Sequence, residues 1–192
     1  MPRIETETLA QHRDWRRNQL IEAAAGIALE SGGSAVTVAA VAQRAGLSRT
    51  SVYEYFGSSA DLIADLVLEE LNNFAHYLRD AVSDTEQPIE SIAAWIQSAL
   101  TYIADGRHLL AKALNATSLP QERTAAIGAA HRALLAPLVT GLTAMGVKDT
   151  QRALLFIQAI TDASTKRIEG GHDAEAEIKS ATAFCIAGLT SI

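Results

Sequence analysis

The chain has 192 residues, 48% of them apolar and 20% charged, with a formal net charge of −6 and a single cysteine. That length can bury a full core, and the lone Cys185 excludes an internal disulfide, so a reducing cytoplasm is the natural setting. No run of about 18 uninterrupted apolar residues is present, and "MPRIETETLAQHRDWRRNQL" lacks an apolar signal-peptide centre, which argues against a membrane partner.

The acidic total does not exclude nucleic acid, because its distribution is uneven. Residues 1–57 hold six arginines against six acidic side chains, while residues 58–192 hold ten basic and sixteen acidic ones. A DNA binder needs a local basic surface, not a basic chain.

In chain order, the first ten residues show no apolar period. Leu20, Ala24, Ile27 and Ala28 then recur at helical spacing and predict a helix over about 14–30. "SGGS" at 31–34 stops it. Thr37 is placed as N-cap of "VAAVAQRA", which ends at Gly46, a residue suited to a left-handed helix terminus. Leu47 should plug the corner, and Ser48 should cap a further helix, "RTSVYEYF". Ser58 with Asp61 three residues on resembles a capping box and starts a long helix to about Val82. Helices over 88–104, 107–115, 120–145 (bent near Pro137), 149–169 and 174–189 complete the chain, and no alternating β-branched run argues for a sheet. The predicted class is all-α.

Residues 37–56 form a helix-turn-helix. Val41, Ala42, Ala45, Leu47, Val52 and Phe56 can close against the first helix, which leaves Arg49, Thr50, Ser51, Tyr53 and Glu54 facing out. A helix in the major groove needs short hydrogen-bonding side chains near its N-terminus and at least one long donor. Arg49 can bond a guanine edge, Thr50 and Ser51 can meet either base type, and Tyr53 and Tyr55 suit phosphate oxygens. The N-terminus of the Thr37 helix should offer N–H groups to a phosphate. Helix pattern alone fits a plain three-helix packing unit equally well.

"LIEAA…IALESG", "VTVAAVAQRAGLS" and "VYEYF…L", spread over residues 17–62, together resemble the N-terminal domain of the TetR family of transcriptional regulators. The resemblance implies a DNA-binding domain over 1–57 joined to a helical effector-binding and dimerisation domain over 58–192. It implies a homodimer on a near-palindromic operator, most often as a repressor, with a small-molecule effector. Thr37, Tyr53 and Tyr55 would contact the backbone, and Ser48, Arg49, Thr50 and Ser51 would position the helix and read bases. Two residues depart from the family pattern. Ser59 stands where a phosphate-contacting Lys is usual, and Glu54 is unfavourable beside phosphate. Losing that Lys should weaken DNA binding, while Arg13, Arg16 and Arg17 offer replacement charge.

In the C-terminal part, Trp95, Ala99 and Tyr102 share a helix face, as do Phe156 and Ile160, and these five are candidates for an apolar effector pocket. Plain core packing predicts the same pattern. Dimerisation through the last two helices, as the resemblance implies, would place Ile157, Ser164, Ala181, Ala187 and Gly188 at the interface, although packing within one chain would leave the same signature. The histidines show no metal-ligand spacing, no catalytic set is present, and no cofactor motif is found. An all-α enzyme with an incidental helix-turn-helix and a homologue without DNA or ligand binding are the alternatives.

Overall fold

The computed structural model describes residues 9–114 and 119–190. The described residues contain nine α-helices and no strand: α1 (Leu9–Ser31), α2 (Val38–Ala45), α3 (Arg49–Tyr53), α4 (Ser59–Val82), α5 (Pro88–Ala104), α6 (Leu109–Leu114), α7 (Thr124–Ala144), α8 (Thr150–Glu169) and α9 (Ala174–Leu189). The all-α expectation holds. Differences are confined to helix ends. α1 begins at Leu9, five residues before the predicted start. α3 stops at Tyr53, because the N–H groups of Tyr55 and Phe56 both turn back onto the Val52 carbonyl. Asn115, expected in the sixth helix, lies outside the described residues.

Packing divides the chain into two units, Met1–Glu70 with Leu110–Ile127, and Leu71–Leu109 with Gly128–Ile192. This division falls elsewhere than the boundary expected at 57/58. The physical reason is that Leu62, Ile63 and Leu66 of α4 are buried in the core of the first unit.

In the first unit Leu20, Ala24, Ile27, Val41, Val52, Phe56, Leu62 and Leu66 form one core with Leu110 and Leu114. Asp65, on α4, takes two guanidinium contacts, Arg17 Nη2 at 2.8 Å and Arg123 Nη2 at 3.1 Å. One carboxylate therefore ties α1 and the turn before α7 to α4.

The second unit is built on α5, α8 and α9, which pack mutually. Its core includes Leu78, Ile92, Trp95, Ile96, Leu100, Leu138, Leu142 and Ile157, and truncating any of the larger ones costs about 2–5 kcal/mol. α7 runs on through Pro137. The missing N–H of Pro137 leaves the Ala133 carbonyl without its helical donor, and the next carbonyl, Leu134, accepts from Trp95 Nε1 at 2.9 Å. By length and composition alone Gln121–Ala144 would pass for a membrane span. Leu134, Leu138, Gly141 and Leu142 are buried in protein, however, and Gly141 lies so close to Ile92 that a Cβ would clash at 2.9 Å.

Candidate functional site

The helix-turn-helix forms for local reasons. Thr37 Oγ1 accepts from Ala40 N–H at 3.1 Å, so it caps α2 as its position suggested. Gly46 is left-handed (φ 67°), and Leu47 N–H reaches back to the Ala42 carbonyl at 2.9 Å. With the Gly46 N–H on the Gln43 carbonyl at 3.3 Å, that bond closes the α2 terminus and swings Leu47 onto the core. Ser48 Oγ accepts from Ser51 N–H at 3.1 Å and lies 2.9 Å from Ser51 Oγ, which starts α3.

Val52 and Phe56 are buried, and that choice of buried face decides what α3 presents. Ser48, Arg49, Thr50, Tyr53 and Glu54 are exposed, Tyr53 by 57%, and Ser51 is half-buried. The residues expected to meet DNA therefore share an exposed stretch of one unit, together with the exposed Thr37. Tyr55 is half-buried with its ring packed on the core. Glu54 ends α3 at the surface.

Three features of this unit escape a reading along the chain. Ser59 Oγ accepts from Val38 N–H at 3.0 Å, so the residue standing where the family usually has Lys closes the first turn of α2. The expectation of a free N-terminal turn is corrected accordingly. Val38 and Ala40 have spent their N–H groups on side chains, and Ala39 alone of the three keeps its donor among the described residues. Arg17 is engaged by Asp65, with its guanidinium 5.8 Å from the Phe56 ring, so its charge is already shared with a carboxylate. Finally, Arg44 makes a bidentate pair with Glu30, bonding at 2.7 Å through Nη1. Its guanidinium crosses α1 where a Cβ on Gly26 would meet it at 2.8 Å. The hydrogen bonds between them hold the Glu30 carboxyl below its usual range and raise Arg44. These three depend on residues that meet only across helices, and no local pattern announces them.

The five residues proposed for an effector pocket are not brought together. Trp95, Ala99 and Tyr102 are buried in the core of the second unit, where Trp95 has its indole N–H satisfied. Phe156 and Ile160 belong instead to an apolar cleft of about 430 Å³ between α8 and α9, with Phe184, Ala159 and Gly188. The five residues proposed for a dimer interface also divide. Ile157, Ser164 and Ala181 are buried within the chain, whereas Ala187 and Gly188 are exposed. The outer face carries residues that sequence reading did not select for an interface: Leu155 (59% exposed) and Phe184 (69%), beside Phe156 (61%). Among the described residues no group of three or more His, Cys, Asp or Glu is placed to hold a metal.

Comparison with known proteins bears on this arrangement. The family model of the bacterial regulatory proteins, tetR family, matches residues 20–66, which spans the helix-turn-helix and the start of α4. The HTH-type transcriptional regulator BetI of Brucella anthropi is 38% identical over 96 residues, 50% of this chain and 46% of that protein. The HTH-type transcriptional repressor KstR2 of Mycobacterium tuberculosis is 37% identical over 78 residues, 40% of this chain and 38% of its own. The matched part is thus less than half the length of either relative. Among solved structures, the transcriptional regulator FadR from Bacillus subtilis, crystallised with stearoyl-CoA, superposes with a TM-score of 0.73 at 21% identity, covering 89% of this chain and 98% of that one. The last likeness is one of fold alone. The family match is thus confined to the helix-turn-helix segment and the start of α4, where residues 20–66 are similar to the bacterial regulatory proteins of the tetR family.

Proposed function

We propose that the protein is a dimeric, sequence-specific DNA-binding transcriptional regulator, acting in the bacterial cytoplasm as a repressor that a small molecule releases from a palindromic operator. The observation that carries the reading is the exposed set on α3. Ser48, Arg49, Thr50, Ser51 and Tyr53 form one short, capped helix that is anchored from behind by buried Val52 and Phe56. Short side chains at the helix N-terminus let backbone approach bases, Arg49 supplies the long donor, and Thr37, Tyr53 and Tyr55 supply backbone contacts. Reading two half-sites about 34 Å apart requires two copies of this domain. The apolar outer face of α8 and α9, with Leu155, Phe156 and Phe184 uncovered, supports self-association there.

An effector works in such a protein only if it binds the reading and non-reading arrangements with different affinity. Selection of bound duplexes from a random DNA library tests the reading. An inverted repeat should be enriched, Arg49→Ala should relax one symmetric position, and Tyr53→Phe should weaken binding across all sequences. Absence of any enriched motif at low salt would refute it.

A further inference from the structure

The turn after α5 holds an arginine in an unusual state. Gly106 is left-handed (φ 72°), its N–H returns to the Ile103 carbonyl, and Arg107 N–H returns to the Tyr102 carbonyl at 3.2 Å. This double closure brings the side chains at its two ends together, here Arg107 and Tyr102. The Arg107 guanidinium carbon lies 4.3 Å from the Tyr102 ring centre and 4.4 Å from that of Tyr77. The two rings are 5.4 Å apart and inclined by 49°, so they form a notch that the guanidinium occupies. Phe74 stacks on Tyr102 at 4.3 Å and extends the aromatic wall.

A guanidinium lying on rings keeps its five N–H donors at its edge, and stacking removes much of its rotamer freedom in advance. Arg17, Arg44, Arg123, Arg152 and Arg167 each close on a carboxylate. The Arg107 guanidinium has no hydrogen bond or ion pair among the described residues, in a chain of net charge −6. Its neighbour in the turn explains part of this. His108 Nε2 lies 2.8 Å from Glu169 Oε1, and since a carboxylate only accepts, the imidazole donates there. Oε1 of Glu169, at the end of α8, is thus taken by His108. The other ring nitrogen, Nδ1, is buried without a partner, so the turn is also polar and incompletely satisfied.

Resting on the sensor reading above, we infer that the exposed edge of Arg107 receives the acid group of an organic anion, a carboxylate or a phosphate monoester, whose apolar body meets the half-buried rings of Tyr77 and Phe74 while Tyr102 stays covered behind the guanidinium. The planar fork matches either acid in bidentate fashion, and the aromatic wall favours an aryl or short apolar body. The proposal gives this unit an effector chemistry that its buried residues Trp95 and Ala99 do not.

The test is a titration of the full-length protein at constant ionic strength with benzoate, with phenyl phosphate and with neutral benzyl alcohol, followed by calorimetry and by the arginine Nε–H signals. One of the two anions should bind saturably at one site per chain and the alcohol should not; which anion binds identifies the acid. Arg107→Gln should weaken binding by at least about tenfold, the loss of one charge-assisted contact, while Tyr77→Phe, which keeps the ring, should retain it. Saturation by neither anion, or equal binding by Arg107→Gln shown by its melting curve to be folded, overturns the proposal. DNA affinity is measured separately without anion. A protein that binds DNA but no anion refutes this site alone, and one that binds anion but no DNA refutes the regulator reading alone.

Discussion

Ser59→Ala and Ser59→Lys together test how the reading head is held. In the structure Ser59 Oγ accepts from Val38 N–H at 3.0 Å, a part-buried bond from the first residue of α4 to the first of α2. Replacing Ser59 with Ala leaves that donor to water, which should cost about 1 kcal/mol, or about 2–4 °C in Tm for a chain of this size. Lysine there loses the same bond but restores a charge at the position the family uses for phosphate. Its DNA affinity should fall more steeply with salt, the logarithmic slope deepening by about 0.9, which is roughly 3.5-fold extra loss between about 50 and 200 mM. Urea melts give the first quantity, and fluorescence anisotropy on the selected operator over a salt series gives the second. If Ser59→Ala melts at the wild-type temperature, the bond contributes nothing and the cap argument fails. If Ser59→Lys leaves the salt slope unchanged, the start of α4 does not face the DNA backbone.

Three further predictions follow from the packing. Phe156→Asp and Phe184→Asp should each weaken self-association, since covering one such ring contributes about 1.5–3 kcal/mol, or roughly tenfold to a hundredfold in the dimer constant; sedimentation at graded concentrations reads this, and unchanged mass would place the interface elsewhere. Asp65→Ala strands both Arg17 and Arg123 and should destabilise the first unit by about 2 kcal/mol in urea; if Arg17→Gln combined with Arg123→Gln costs nothing, the carboxylate is not acting through these contacts. Burial pushes the Cys185 thiol from 9.0 up to about 11, so the folded protein keeps a proton that the unfolded chain gives up earlier. Stability from this site is fully present below about pH 9 and is lost as pH rises through 11. Alkylation of the native protein should keep accelerating toward that pH, and a plateau near pH 9 would contradict the burial argument.

Much of this molecule could be read along the chain, and the reason is locality. Thr37, Gly46, Ser48 and Asp149 each act within four residues of themselves, through a cap or a left-handed terminus, so α2, α3 and α8 could be placed before any packing was known. The exposed set on α3 was legible for the same reason: burying Val52 and Phe56 leaves Arg49, Thr50 and Tyr53 outside whatever the partner helix is. What no local rule contains is which of several apolar faces meets which. Trp95 and Phe156 are both aromatics at helical spacing, yet one is buried with its N–H on the Leu134 carbonyl and the other is mostly exposed. Ser59 draws notice in sequence only for the Lys it replaces, and its bond exists only because Val38 is brought against it from 21 residues away. Arg107 and Tyr102 are neighbours in sequence, but the notch needs Tyr77 from a different helix. Hydrogen-bonded caps and turns are chosen by nearby backbone, which the sequence by itself determines; the identity of a helix's packing partner, and so of every bond made across helices, depends on burying apolar surface over the whole unit, and only the tertiary structure decides it.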